Sequence, residues 1–264
     1  MFKKVLCTII CTMLVLVAFA GCQGSTTEAP QTTPAPTTEA PTEAADHVEP
    51  LNNQLQIQIE TETKGESSAE YVVIGTLDYF DLQNQYNETL KTFGTWSLVN
   101  SDPDVTSVAE SDYSIVGNEV MGNYYLSVGE ICTVTTVGAA YPTSSVTFTT
   151  LDLTGTKTEA MGITEFFDLD KLGTAIANGV FEFTNVEQPE NIDYSSVSEA
   201  LNQKYIVNAK ELETEYYLSE AGLTLYLGDK THAEGDYWLL TAPFSALGDC
   251  IVNTNLATYA ASLS

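Results

Sequence analysis

The sequence predicts an α+β protein: an antiparallel sheet with a few packed helices, in one domain open to a two-lobed arrangement. Three observations lead there. Runs rich in β-branched and aromatic residues recur from Leu55 to Thr241. Between them, other stretches space their apolar residues three or four apart, the period of a helix with one buried face. And nothing between Leu51 and Ser264 is rich enough in Pro or Ser to force a boundary, while about 210 residues suffice to bury a sizeable core.

The elements follow in order. Leu55, Ile57 and Ile59 alternate with polar residues, the pattern of a half-buried strand, and Tyr71–Ile74 is a second strand. From Asp81 the period changes: Leu82, Tyr86, Leu90 and Phe93 line one face of a helix reaching Leu98, which Asp102-Pro103-Asp104 ends. Strands are expected over Tyr113–Val120, Tyr124–Val128, Ile131–Val137 and Val146–Leu153. Gly122-Asn123 turns the first pair, and Leu153-Thr154-Gly155-Thr156 closes the block. Ile163–Phe167 is apolar, and Asp168 is positioned to cap a helix over Leu169–Ala177. Ser196 and Glu199 form a capping box ahead of a short helix over Val197–Lys204. Thr214–Leu227 reads as a hairpin turning through Ser219–Gly222, and the polar loop Gly228–Gly235 leads into a strand over Asp236–Thr241.

Two segments precede this domain. Met1-Phe2-Lys3-Lys4 is a short positive region, and Val5–Ala20 is apolar but too short for a comfortable membrane span, so residues 1–21 are expected to be an export signal. Phe19-Ala20-Gly21-Cys22 is similar to the bacterial lipobox, in which small residues precede an obligatory cysteine; Phe19 stands where an aliphatic residue is usual. That likeness implies a diacylglyceryl group on the Cys22 sulfur and cleavage just before it, and two acyl chains are enough for stable anchoring. The expected location is the extracytoplasmic face of a cell membrane. Residues 22–50 are nearly all Gln, Thr, Pro, Ala, Glu, Gly and Ser, too poor in apolar side chains to offset the entropy of ordering. Such a tether, stiffened by its prolines, extends by about 3.1 Å per residue when stretched.

The charge is strongly acidic: 36 acids oppose nine lysines, with no arginine, for a net −27. From Leu51 onward 31 acids face seven lysines, a net −24. A phosphate backbone rewards basic surfaces, so nucleic-acid binding is excluded as a leading function. A basic partner would be drawn in at long range, although acidity also serves plain solubility. Once the signal is gone and Cys22 is lipidated, Cys132 and Cys250 remain, either as a disulfide or as two separately buried thiols. No cofactor or metal is expected: there is no CxxC pair, EF-hand loop, P-loop or dinucleotide fingerprint. Of two histidines, His47 lies in the tether and His232 in an acidic loop, with no nucleophile elbow to make a triad.

The order of pieces resembles a bacterial extracytoplasmic family, the RsiV-like outer domain of lysozyme-sensing anti-sigma factors, found also beside peptidoglycan deacetylases. The matching residues are Gly138-Ala139-Ala140-Tyr141-Pro142, then "TTLDLTGTKTEAMGITEFF", then the hairpin "YYLSEAGLTLYL" and Pro243-Phe244-Ser245-Ala246-Leu247. Two loops depart from the family: Tyr141 replaces a histidine, and Gly228–Gly235 replaces a Pro/Tyr-rich segment. Loops on a rigid scaffold commonly carry recognition, so Tyr141, Pro142, His232, Tyr237 and Trp238 are the candidate binding residues. The resemblance implies a non-catalytic domain that binds lysozyme or another basic wall-acting protein; a peptidoglycan ligand is the fallback. The alternative is a peptidoglycan-modifying envelope enzyme or its accessory subunit.

Overall fold

In the computed structural model, the described residues are 55–77, 80–100, 108–185, 194–207, 215–228, 230–231 and 235–263. Residues 1–50, with the expected signal, Cys22 and the expected tether, lie outside them, as do Asp102-Pro103-Asp104 and His232. From Leu55 onward the described residues belong to one compact unit containing two sheets.

The first sheet has the strand order β1-β2-β3-β4-β5. Strands β1 (Ile57–Lys64) and β2 (Ser67–Ile74) form an antiparallel hairpin. Helix α1 (Phe80–Asn100) then crosses back, and β3 (Val108–Met121), β4 (Tyr125–Thr136) and β5 (Thr143–Asp152) form a meander. The expectation of a purely antiparallel sheet is corrected at one seam: β2 pairs with β3 in parallel, through Ser68–Asp112 and Ala69–Tyr113. The crossover through α1 accounts for this, because a helix between neighbouring strands returns the chain in the same direction.

The period of α1 is borne out. Tyr86 and Leu90 are fully buried against Val72, Ile74, Leu126, Val128, Leu151 and Leu153, with Leu82 and Phe93 packed at the margin. Polar side chains on α1 also complete the end of β2: Asn87 accepts from the Ile74 N–H at 2.7 Å and donates to its carbonyl at 3.0 Å. The helix approaches the strand closely because residue 94 is glycine. A Cβ there would sit 2.6 Å from the Glu70 carbonyl oxygen and 2.7 Å from the Tyr71 Cβ.

Two expectations in this sheet change. The strand over Leu55–Ile59 begins at Ile57, and Ile59 is 48% exposed; β1 is an edge, and its Glu60, Glu62 and Lys64 suit an edge that must not pair further. The two strands expected either side of Gly129-Glu130 are one continuous strand. Turns at Gly122-Asn123 and at Leu153–Thr156 fall as read, the latter closed by Thr154 and Thr156 hydroxyls donating to the Asp152 carboxylate.

The second sheet is antiparallel, in the order β6-β9-β8-β7, from β6 (Glu182–Phe183), β7 (Tyr216–Ser219), β8 (Gly222–Leu227) and β9 (Trp238–Ala242). Gly222 is needed for the β7–β8 turn: its φ is +127°, and a Cβ would lie 2.0 Å from the Ala242 oxygen. Helix α2 (Leu169–Ala177) starts where Asp168 was read as a cap, its side chain accepting from the Asp170 and Lys171 N–H groups. Helix α3 (Tyr194–Asn202) corrects the capping box: it starts before Ser196, which lies inside its first turn, and it ends in a π-turn over Gln203–Val207. A short α4 (Phe244–Leu247) and α5 (Thr254–Ser262) finish the chain, the last capped by Asn253.

The sheets join through β7, which packs on β3, β4 and β5 from the face opposite α1. There the Ser127 hydroxyl accepts from the Leu218 N–H, and Phe148 stacks near Tyr217. The first sheet is thus covered by α1 on one face and by the second sheet on the other.

Candidate functional sites

Among the described residues, two places combine exposed or unsatisfied chemistry with a defined scaffold. The first is the loop pair read from the sequence. The β4–β5 turn carries Tyr141, 65% exposed, and the exposed Pro142. The segment entering β9 carries Asp236 and Tyr237. The Asp236 carboxylate accepts from the Ser144 N–H at 3.2 Å, which ties the two loops together across 92 residues of chain. Asp236 itself adopts φ +66° and is held by backbone bonds with Lys230 and Thr231.

Trp238 is corrected as a contact residue. It belongs to β9, is 6% exposed, meets Phe183 edge-on at 5.3 Å, and has the Lys230 ammonium 4.0 Å above its ring. Tyr237 is half-buried, 6.0 Å from the Tyr226 ring, and burial raises its hydroxyl pKa. Among the described residues, the exposed part of this site is therefore Tyr141 and Pro142, with Tyr237 half-buried in the neighbouring loop.

The second place was not read from the sequence. On the α1 side of the first sheet, the buried face of β4 continues past Leu126 and Val128 to Glu130 and Cys132. Beside its tight packing on β2, α1 leaves an open groove of about 840 Å³ over β3, β4 and β5. Gln85, Glu88, Thr89, Thr92 and Phe93 of α1 form one wall. Tyr113, Glu130, Cys132, Ser145, Thr147 and Thr149 form the floor. Glu130 is 4% exposed, and its Oε1 has no hydrogen-bond partner. Loss of hydration pushes its pKa up to about 8, with a hydrogen bond from Thr147 pulling the other way. Burial likewise raises the Cys132 thiol, against hydrogen bonds with Tyr113 and Ser145.

The cysteines are two free thiols, so the disulfide alternative is corrected. Cys132 packs with Ala69 and Tyr113 in the first sheet, whereas Cys250 lies in the core of the second sheet, near the bridge between Phe167 and Ile251. Among the described residues no cluster of His, Cys, Asp and Glu has the arrangement to hold a metal ion, and no helix is long and apolar enough to cross a membrane. No family model matches the chain, and no curated protein matches it either.

Proposed function

We propose that this chain is a lipid-anchored, non-catalytic binding domain on the extracytoplasmic face of a bacterial membrane, and that its partner is a basic envelope-acting protein such as lysozyme. The observation that carries the reading is the joined loop pair: the Asp236–Ser144 bond sets the exposed Tyr141 beside the entry to β9. A rigid aromatic at a loop tip offers contact area at low entropic cost. The surrounding net charge of −24 from Leu51 onward favours a basic partner and speeds its encounter. The resemblance to the lysozyme-sensing family supports the same partner, and the lipobox-like Cys22 supports the anchor.

The test is binding of residues 51–264 to a basic animal-type lysozyme at about 50 and about 150 mM salt, a range over which screening grows. Expected are measurable binding at low salt, a weaker complex at the higher, and a further loss of about tenfold in Tyr141→Ser, the scale of a single interface aromatic. No binding at either salt would remove lysozyme as the partner. Equal binding by Tyr141→Ser would move the contact off the loop pair.

A further inference from the structure

We propose that the groove between α1 and the first sheet is a separate binding site for a small amphipathic organic cation, an alkyl chain or ring bearing an ammonium group, with Glu130 as its counter-ion. This goes beyond the loop-pair reading and stands independently of it, because the two sites share no residue.

Three features point to that chemistry. The groove has the size and mixed lining of a small-molecule site, with Phe93, Tyr113, Ala160 and threonine methyl groups for an apolar body. Among the described residues, its charged lining consists of two acids, Glu88 on the helix and Glu130 on the floor, with no lysine or histidine. Glu130 is almost wholly buried with Oε1 unpaired, a desolvation cost that a well-packed sheet would avoid by placing an apolar residue there. An ammonium group offsets that cost by pairing its charge with the carboxylate. Because Oε1 is covered, the ligand engages it by rotation of the Glu130 side chain about its own bonds. The aromatic rings of Phe93 and Tyr113 in the lining are of the type that attracts the methyl groups of a quaternary ammonium.

An anionic ligand would meet two acids, and a neutral carbonyl would need Glu130 to remain protonated. The pH dependence separates these. Among the described residues, the titratable groups that share the groove with Glu130 are Tyr113 from β3, Cys132 on its own strand and Glu88 from α1, and β5 contributes Ser145, Thr147 and Thr149. With Glu130 protonated near neutrality, a permanent cation must bind more tightly as pH rises and Glu130 ionises.

The probe is octyltrimethylammonium, charged at every pH, titrated into the domain by calorimetry at pH 6 and pH 9. Octanol supplies the chain without the charge, and tetramethylammonium supplies the charge without the chain. Expected is binding of the full probe at least about tenfold tighter at pH 9, as the competent fraction rises. Glu130→Gln should flatten that dependence, and Thr92→Trp, at an exposed position on the groove's helical wall, should fill the groove and abolish binding. Three results would overturn the proposal: octanol binding as well as the cation, binding that is independent of pH, or binding that survives Thr92→Trp. If Glu130→Gln fails to fold, the pH series on the unaltered protein and the Thr92→Trp result still decide it.

Discussion

Glu130 shows how far a single residue can be hidden in a sequence. Next to Gly129 in a run of β-formers, an acid reads as a break between strands, and two strands were expected there. Gly129 is instead packed under Phe148, where a Cβ would come within 3.1 Å of the ring, and Glu130 faces the groove inside an unbroken strand. Its raised pKa has a signed consequence. The unfolded carboxyl ionises near 4.3, whereas the folded one holds its proton to about 8, so between those values rising pH favours the unfolded chain. Glu130→Gln should therefore stabilise the protein increasingly with pH, by roughly 3 kcal/mol more at pH 8 than at pH 5. Urea titrations of both proteins at the two pH values measure this; a difference that does not change with pH would mean Glu130 is already ionised when folded. By contrast Tyr86 was legible as core from its spacing. What spacing could not reveal is that its hydroxyl sits between the carbonyls of Asp152 and Lys157, which lie far along the chain.

Among the elements, those defined by local chemistry were read best. The apolar face of α1, the Asp168 cap of α2 and the β7–β8 hairpin depend on residues within a few positions of one another. Elements defined by distant neighbours were read less well. The exposure of β1 follows from α1 stopping over β2, and α3 starts earlier than its Ser196 signal. Helix α5 carried a usable sign in Asn253, whose side chain accepts from the Leu256 N–H at 2.9 Å, but the short apolar spacing after it is weak. The packing of α1 on β2 supplies a test at this scale. Alanine is the better helix former by about 1 kcal/mol, yet a methyl group at position 94 would press on the Glu70 carbonyl and Tyr71. Gly94→Ala should therefore lose about 2 kcal/mol in net stability, since overpacking outweighs propensity. A variant melting at or above the parent would show that α1 can lift from the sheet without loss.

For the whole molecule, the two thiols give a direct check. Because Cys132 and Cys250 lie in separate cores, reducing agent should leave the melting temperature unchanged, and a thiol reagent should titrate two groups in unfolded residues 51–264. A melting point lowered by several degrees under reduction would mean they are joined, since a disulfide commonly contributes about 2–4 kcal/mol. Some properties at this scale belong to the sequence alone. The acidity, the lipobox-like segment, the tether composition and the α+β class depend on content and local period, which survive without any knowledge of contacts. The parallel seam between β2 and β3, the meeting of the Tyr141 turn with Asp236, the burial of Trp238 and the α1 groove were decided only in three dimensions. Each joins residues tens of positions apart, and neither period nor composition records which distant strand will become a neighbour.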